Sequence, residues 1–98
     1  MASDAASSVS EPVTVLLPAV LARLFPGCAR RADVSASTVG EAIDALNLRW
    51  PGIRDRICDS TPRIRRHINI FVGGERANLA TRLEEGTEVL IMTAVSGG

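Results

Sequence analysis

Apolar positions along this chain follow two spacings, and the switches between them outline a fold. Val13-Thr14-Val15-Leu16-Leu17 is an apolar, β-branched run that predicts a strand, limited by Pro18. Val20-Leu21-Ala22-Arg23-Leu24-Phe25 is also apolar until Pro26-Gly27 ends it; a helical turn and a wide connection both suit it. Residues 31–35 predict a short, weak second strand whose charges suit a sheet edge.

The spacing then becomes helical. Thr38 with Glu41 three positions later is a capping box, in which the Thr38 hydroxyl accepts from the Glu41 amide and Glu41 reaches back. Val39, Ile43, Leu46 and Trp50 follow at intervals of four, three and four, which is one helical face. Ala42 fills in beside them, Asp44 and Arg49 take the solvent side, and Trp50 is expected in the core. Pro51-Gly52 interrupts this helix, residues 53–57 predict one more helical turn, and residues 59–62 a loop. Alternation returns at 67–72: Ile68, Ile70 and Val72 face one way, His67, Asn69 and Phe71 the other. Gly73-Gly74 is turn chemistry. Residues 75–78 suit a short returning strand, with Leu79 and Leu83 as anchors of the loop that follows. Glu85-Gly86 turns the chain into a last strand at 88–95.

One amphipathic helix has a single apolar face, which must lie on one face of one sheet. The first and last strands are the most apolar and are therefore expected at the centre. The fold class predicted is α+β: a β-grasp (ubiquitin-like) mixed sheet of four to five strands packed on one main helix. A ferredoxin-like sandwich would need a second full helix near 75–85, where Gly73-Gly74 and Glu85-Gly86 leave little room.

Composition narrows the function. A chain of 98 residues implies one domain with a small core. Residues 1–11, small, polar and acidic, read as a disordered lead-in to a domain at 12–98. No apolar run approaches the ~20 residues that span a bilayer. The start lacks a basic region followed by an apolar stretch, so a cytoplasmic protein with no membrane partner is expected. Net charge is zero, from 11 basic and 11 acidic residues, which argues against nucleic acid as a partner. Every basic residue is arginine. No side-chain amine is therefore available for Schiff-base chemistry or for accepting an isopeptide bond. Cys28 and Cys58 lie outside any metal-ligand spacing, and His67 is the only histidine, so no metal site is expected and both thiols read as unpaired and structural.

The sequence ends on Gly97-Gly98. Two glycines can be a frayed tail. They can equally lie extended in a channel too narrow for other residues and leave the Gly98 carboxylate unhindered.

These parts in this order resemble the MoaD/ThiS family of ubiquitin-like sulfur carriers. The resemblance covers residues 13–98. It rests on Val13-Thr14-Val15, the helix start Thr38-Val39-Gly40-Glu41-Ala42-Ile43, Pro51-Gly52-Ile53, Ile68-Asn69-Ile70-Phe71-Val72, Glu85-Gly86-Thr87-Glu88-Val89 and the final Gly-Gly. The pattern is closest to the carriers that serve cysteine biosynthesis. Thr93, Ser96 and Gly73 depart from residues common in the family, which bears on the choice of partner more than on the carrier role. The resemblance implies a protein co-substrate rather than an enzyme. Gly98, presented by Gly97, would be the adenylated and thiocarboxylated residue. No cofactor would be bound; ATP and magnesium would be used by a ubiquitin-activating-type (MoeB/ThiF-like) adenylyltransferase. The sulfur acceptor would be an enzyme such as a cysteine synthase, or the large subunit of molybdopterin synthase. A thiazole synthase in thiamine synthesis and a ubiquitin-like modifier role are the alternatives.

That scheme needs a docking surface. With Val13, Val15, Leu17, Val89 and Ile91 under the helix, Leu16, Leu90 and Met92 face outward with Phe71 beside them, an apolar patch of the kind that marks partner sites. Ser96 would join it at the base of the tail. Arg63, Arg65 and Arg66 form a basic run suited to a solvated loop. His67 is expected as an outward strand residue, and Asp55 and Asp59 as solvated helix-end charges.

Overall fold

The computed structural model describes residues 11–61 and 63–93. The chain opens with β1 (Glu11–Leu16), passes through a short helix α1 (Ala19–Ala22) and returns as β2 (Arg31–Ala36). Helix α2 (Val39–Arg49) crosses the sheet and is followed by α3 (Ile53–Ile57). Strands β3 (Ile68–Val72), β4 (Glu75–Arg76) and β5 (Glu88–Thr93) complete the fold. One sheet holds all five strands in the order β2-β1-β5-β3-β4. β1 and β5 are parallel, and every other pairing is antiparallel. This is the β-grasp.

The first and last strands lie next to each other inside the sheet, flanked by β2 and β3, as their apolar content predicts. Val13, Val15, Ile70, Val89 and Ile91 meet Val39, Ile43, Leu46, Ile53 and Ile57 in one continuous core. Each fully buried aliphatic side chain contributes about 1.5–3 kcal/mol relative to exposure.

Several expectations need correction. Glu11, assigned to the lead-in, already pairs with Ala36 in β1. Residues 1–10 and 94–98 lie outside the described residues. β2 does lie at an edge, but it is not weak. It alternates exposed and buried residues along its length and pairs with β1 at six positions. Its small inward residues, Ala32 and Ala36, mute the apolar signal while letting the helix come close. Trp50 is only half-buried, because it is the C-cap of α2, where backbone φ and ψ leave the helical range. Its ring takes the Arg49 guanidinium 5.9 Å from its centroid. β4 is two residues long, shorter than the four expected, although the Ala77 amide still donates to the Ile70 carbonyl at 2.8 Å in the same register.

Local chemistry fixes the helix starts. The Thr38 hydroxyl accepts from the Glu41 amide at 3.2 Å, as in a capping box. The Glu41 carboxylate reaches one residue further back than expected, accepting from the amide and hydroxyl of Ser37 at 2.9 and 2.7 Å. The next orphan amides are satisfied by the returning loop: Val39 donates to Thr81 and Gly40 to Leu79. A Cβ at Gly40 would stand 3.2 Å from the Leu79 carbonyl oxygen, so glycine is what lets this loop dock. At α3 the Asn47 side chain accepts from the amides of Gly52 and Arg54 at 3.0 and 3.1 Å.

Candidate functional site

The sheet face away from the helix carries the candidate site, and the period-2 pleat builds it. Along β1, Val13 and Val15 are buried while Thr14 and Leu16 turn outward. Along β5, Val89 and Ile91 are buried while Leu90 and Met92 are 37% and 44% exposed. Along β3, Ile68 and Ile70 are buried, and Asn69 and Phe71 face the other side. The register brings three of the four expected patch residues side by side. Leu16 lies opposite Leu90, and Leu90 opposite Phe71. Met92 sits one step along β5, opposite Asn69.

Two shallow depressions share Leu16 and Leu90. One continues over Phe71, Gly73, Gly74 and Glu88; the other over Pro18, Arg31 and Met92. Gly73 and Gly74 have φ of 61° and 84°, which closes the β3–β4 hairpin in two residues. Phe71 is half-buried, with the Arg76 guanidinium 5.9 Å from its ring centroid. Below the apolar row the face turns polar, where the Thr14 hydroxyl donates to the Asp33 carboxylate at 2.8 Å. Ser96, Gly97 and Gly98 lie outside the described residues; β5 leads toward them, with its last described residue at Thr93.

The other singled-out residues fall elsewhere. Cys28 is half-buried and Cys58 buried, and both are free. Burial pushes both thiols above their ordinary range, which disfavours the nucleophilic thiolate near neutral pH. His67 is not in the strand but in the exposed turn before β3, since Ile68 is the first residue to pair. It shares an open groove with Phe25, Asp55, Arg56 and Arg65. Arg65 anchors that groove by donating from Nε to the Asp55 carbonyl at 2.8 Å. Arg63 and Arg66 are exposed. Asp59 does more than carry a solvated charge. Its Oδ1 accepts from the Thr61 hydroxyl and from the amides of Thr61 and Arg63, the amides at 2.9 Å, which shapes the loop and holds its carboxyl below the ordinary value.

Sequence reasoning missed Arg31 and Arg76 as neighbours of the patch. The signal was available: the alternation that turns Leu16 and Phe71 outward also does so for their partners on β2 and β4 once the pairing is known. No helix among the described residues is long and apolar enough to cross a membrane. No cluster of metal-ligating side chains occurs among the described residues.

Comparison with known proteins agrees with this geometry. The profile of the ThiS family matches residues 15–98. The chain belongs to the ThiS family. Within it, the sulfur carrier protein CysO of Mycobacterium tuberculosis is 36% identical over 92 residues, covering 88% of this chain and 98% of that protein. Small archaeal modifier protein 1 of Haloferax volcanii is 36% identical over 69 residues, covering 69% of this chain and 79% of that protein. Among solved structures, the crystal structure of the Amycolatopsis orientalis BexX/CysO complex superposes with a TM-score of 0.78 at 31% identity. It covers 88% of this chain and 99% of the other. Relatives in the family are thus named as a carrier and a modifier, and the ubiquitin-like fold is common to both.

Proposed function

We propose that the protein is a sulfur carrier whose Gly98 carboxylate is adenylated and converted to a thiocarboxylate that donates sulfur in biosynthesis, with cysteine as the favoured product. The observation that carries this reading is that the ThiS family match includes Gly97-Gly98. The 36% identity to CysO favours the cysteine branch over molybdopterin or thiazole synthesis.

The chemistry follows from the poor leaving group of a carboxylate. In the activating enzyme's site, with magnesium, a Gly98 oxygen attacks the α-phosphorus of ATP, and pyrophosphate leaves. The resulting acyl-adenylate has AMP as a good leaving group. Sulfide attacks its carbonyl carbon, the C–S bond forms, and AMP departs. A persulfide donor forms the same C–S bond, after which a thiol breaks the S–S bond and leaves the thiocarboxylate. The acceptor enzyme then takes the sulfur. The carrier's own residues supply presentation: Leu16, Phe71, Leu90 and Met92 give the partner an apolar grip, and β5 aims the tail toward that partner's site. A MoeB/ThiF-like adenylyltransferase and a cysteine synthase are the partners this implies. The occurrence of CysO in a complex with BexX supports docking on partner proteins as a habit of this fold.

The test is intact mass. Incubation with ATP, magnesium, the adenylyltransferase and a sulfur source is expected to replace one Gly98 oxygen by sulfur. An unchanged mass under conditions that convert an authentic carrier would reject the reading. The second reading, a protein modifier, is favoured by the similarity to small archaeal modifier protein 1. It predicts covalent conjugates of this chain on other proteins, and the absence of lysine excludes lysine-linked self-chains.

A further inference from the structure

The pairing register turns the outer face of the sheet into rows. Arg31 lies opposite Leu16, Leu16 opposite Leu90, Leu90 opposite Phe71, and Phe71 opposite Arg76. One row therefore crosses all five strands and reads Arg31, Leu16, Leu90, Phe71, Arg76. Its apolar centre is bracketed by an arginine on each edge strand. Arg31 lines the same depression as Leu16, Leu90 and Met92. Arg76 stands over the Phe71 ring. Both are exposed, and among the described residues neither forms an ion pair. Strands lie ~4.8 Å apart, so four spacings separate the two backbone positions by about 19 Å.

The row alone is nearly symmetric and would allow docking in two opposed orientations. The adjacent row breaks that symmetry. Asp33 lies opposite Thr14 and Thr14 opposite Glu88, so two exposed carboxylates flank the apolar row on the side away from Thr93.

We propose that this bracketed row selects and orients the activating enzyme, which presents an apolar centre between two acidic side chains placed to meet Arg31 and Arg76. Acids on the partner meet Arg31 and Arg76. In the flipped orientation those acids would again meet arginines, so the sense of docking is set by Asp33 and Glu88: a basic group of the enzyme that meets them in one orientation is carried to the Thr93 side of the row in the other. The charges thus set which way the strand end at Thr93 points, while the apolar centre supplies most of the affinity. This inference rests on the carrier reading above, and it adds the partner's charge pattern.

The experiment is steady-state adenylation of the full chain by the adenylyltransferase, followed by ATP–pyrophosphate exchange across a salt series. Variants are R31E, R76E, the double reversal, and the neutral pair R31Q/R76Q. Because both side chains are exposed, melting temperatures should match the parent. Each single reversal is expected to raise the KM for the carrier about threefold and the double reversal at least about tenfold, with kcat nearly unchanged. The salt dependence of kcat/KM should flatten in R31Q/R76Q. A folded double variant with the parent's KM and salt dependence overturns the bracket while leaving the carrier role intact. A parent chain that gains no adenylate rejects the carrier role, and this partner with it.

Discussion

On β5, Val89 and Ile91 are 0% and 1% exposed, while Leu90 and Met92, interleaved with them, are 37% and 44% exposed. All four are large apolar residues on one central strand. The inner pair meets the helix and the core; the outer pair meets solvent, beside arginines and carboxylates. The contrast shows that large apolar side chains occupy two environments within six residues, and that only the pleat separates them. On the inner face an apolar side chain holds the fold together. On the outer face it adds less to folding, and the docking role proposed for it can be tested apart from the core.

The sharpest way to break this comparison is truncation on the inner face. Ile91→Ala should cost about 3 kcal/mol in urea unfolding, by lost burial and by the cavity left behind. A much smaller cost would mean that the inner face is not the tightly packed one. Next, Thr38→Ala removes the cap of α2 and should cost about 1 kcal/mol in the same assay.

A third test uses acid. Hydrogen bonds from the Ser37 amide and hydroxyl hold the Glu41 carboxyl below its ordinary value of 4.5. The unfolded chain therefore takes up that proton first as pH falls. The stability gained from Glu41 is whole above the unfolded value and is lost as pH falls through the lower folded one. Glu41→Gln should flatten the stability profile in that acidic window and leave its slope near neutral pH unaltered.

The smallest effect on stability is expected from Leu90→Glu, within about 0.5 kcal/mol of the parent. The same variant should lose adenylation through a raised KM. If Leu90→Glu unfolds the protein as Ile91→Ala weakens it, the two faces are not distinct in kind. If it folds and is adenylated normally, the patch is not a docking surface for that enzyme.

The fold was legible where spacing and chemistry agreed. The helical four-and-three spacing from Val39 to Leu46, the cap at Thr38 and the alternation at Ile68 and Ile70 each named an element without help from the rest. The central placement of β1 and β5 followed from their apolar content. Legibility failed where identity depends on a partner in space. β2 looked weak because Ala32 and Ala36 are small, and its strength lies in the ladder with β1. Trp50 looked like core because the period did not reveal that the helix ends before it. The patch was readable as four outward apolar residues, but Arg31 and Arg76 became its neighbours only through cross-strand register, which no local pattern contains. Asn47 and Asp59 were likewise invisible as organisers, since the amides they accept from lie at the start of α3 and in the loop after it, and no residue pattern marks those side chains as their partners.

The position of β5 between a parallel and an antiparallel neighbour has a mechanical consequence. A force applied at its C-terminal end, along the strand, pulls against the ladders to β1 and β3 together. Those hydrogen bonds lie across the pulling direction, so they are sheared as a group rather than unzipped one after another. A machine that threads proteins from this end would meet its greatest resistance at the first step. The strand that carries the tail is also the one that anchors the domain against being drawn away by it.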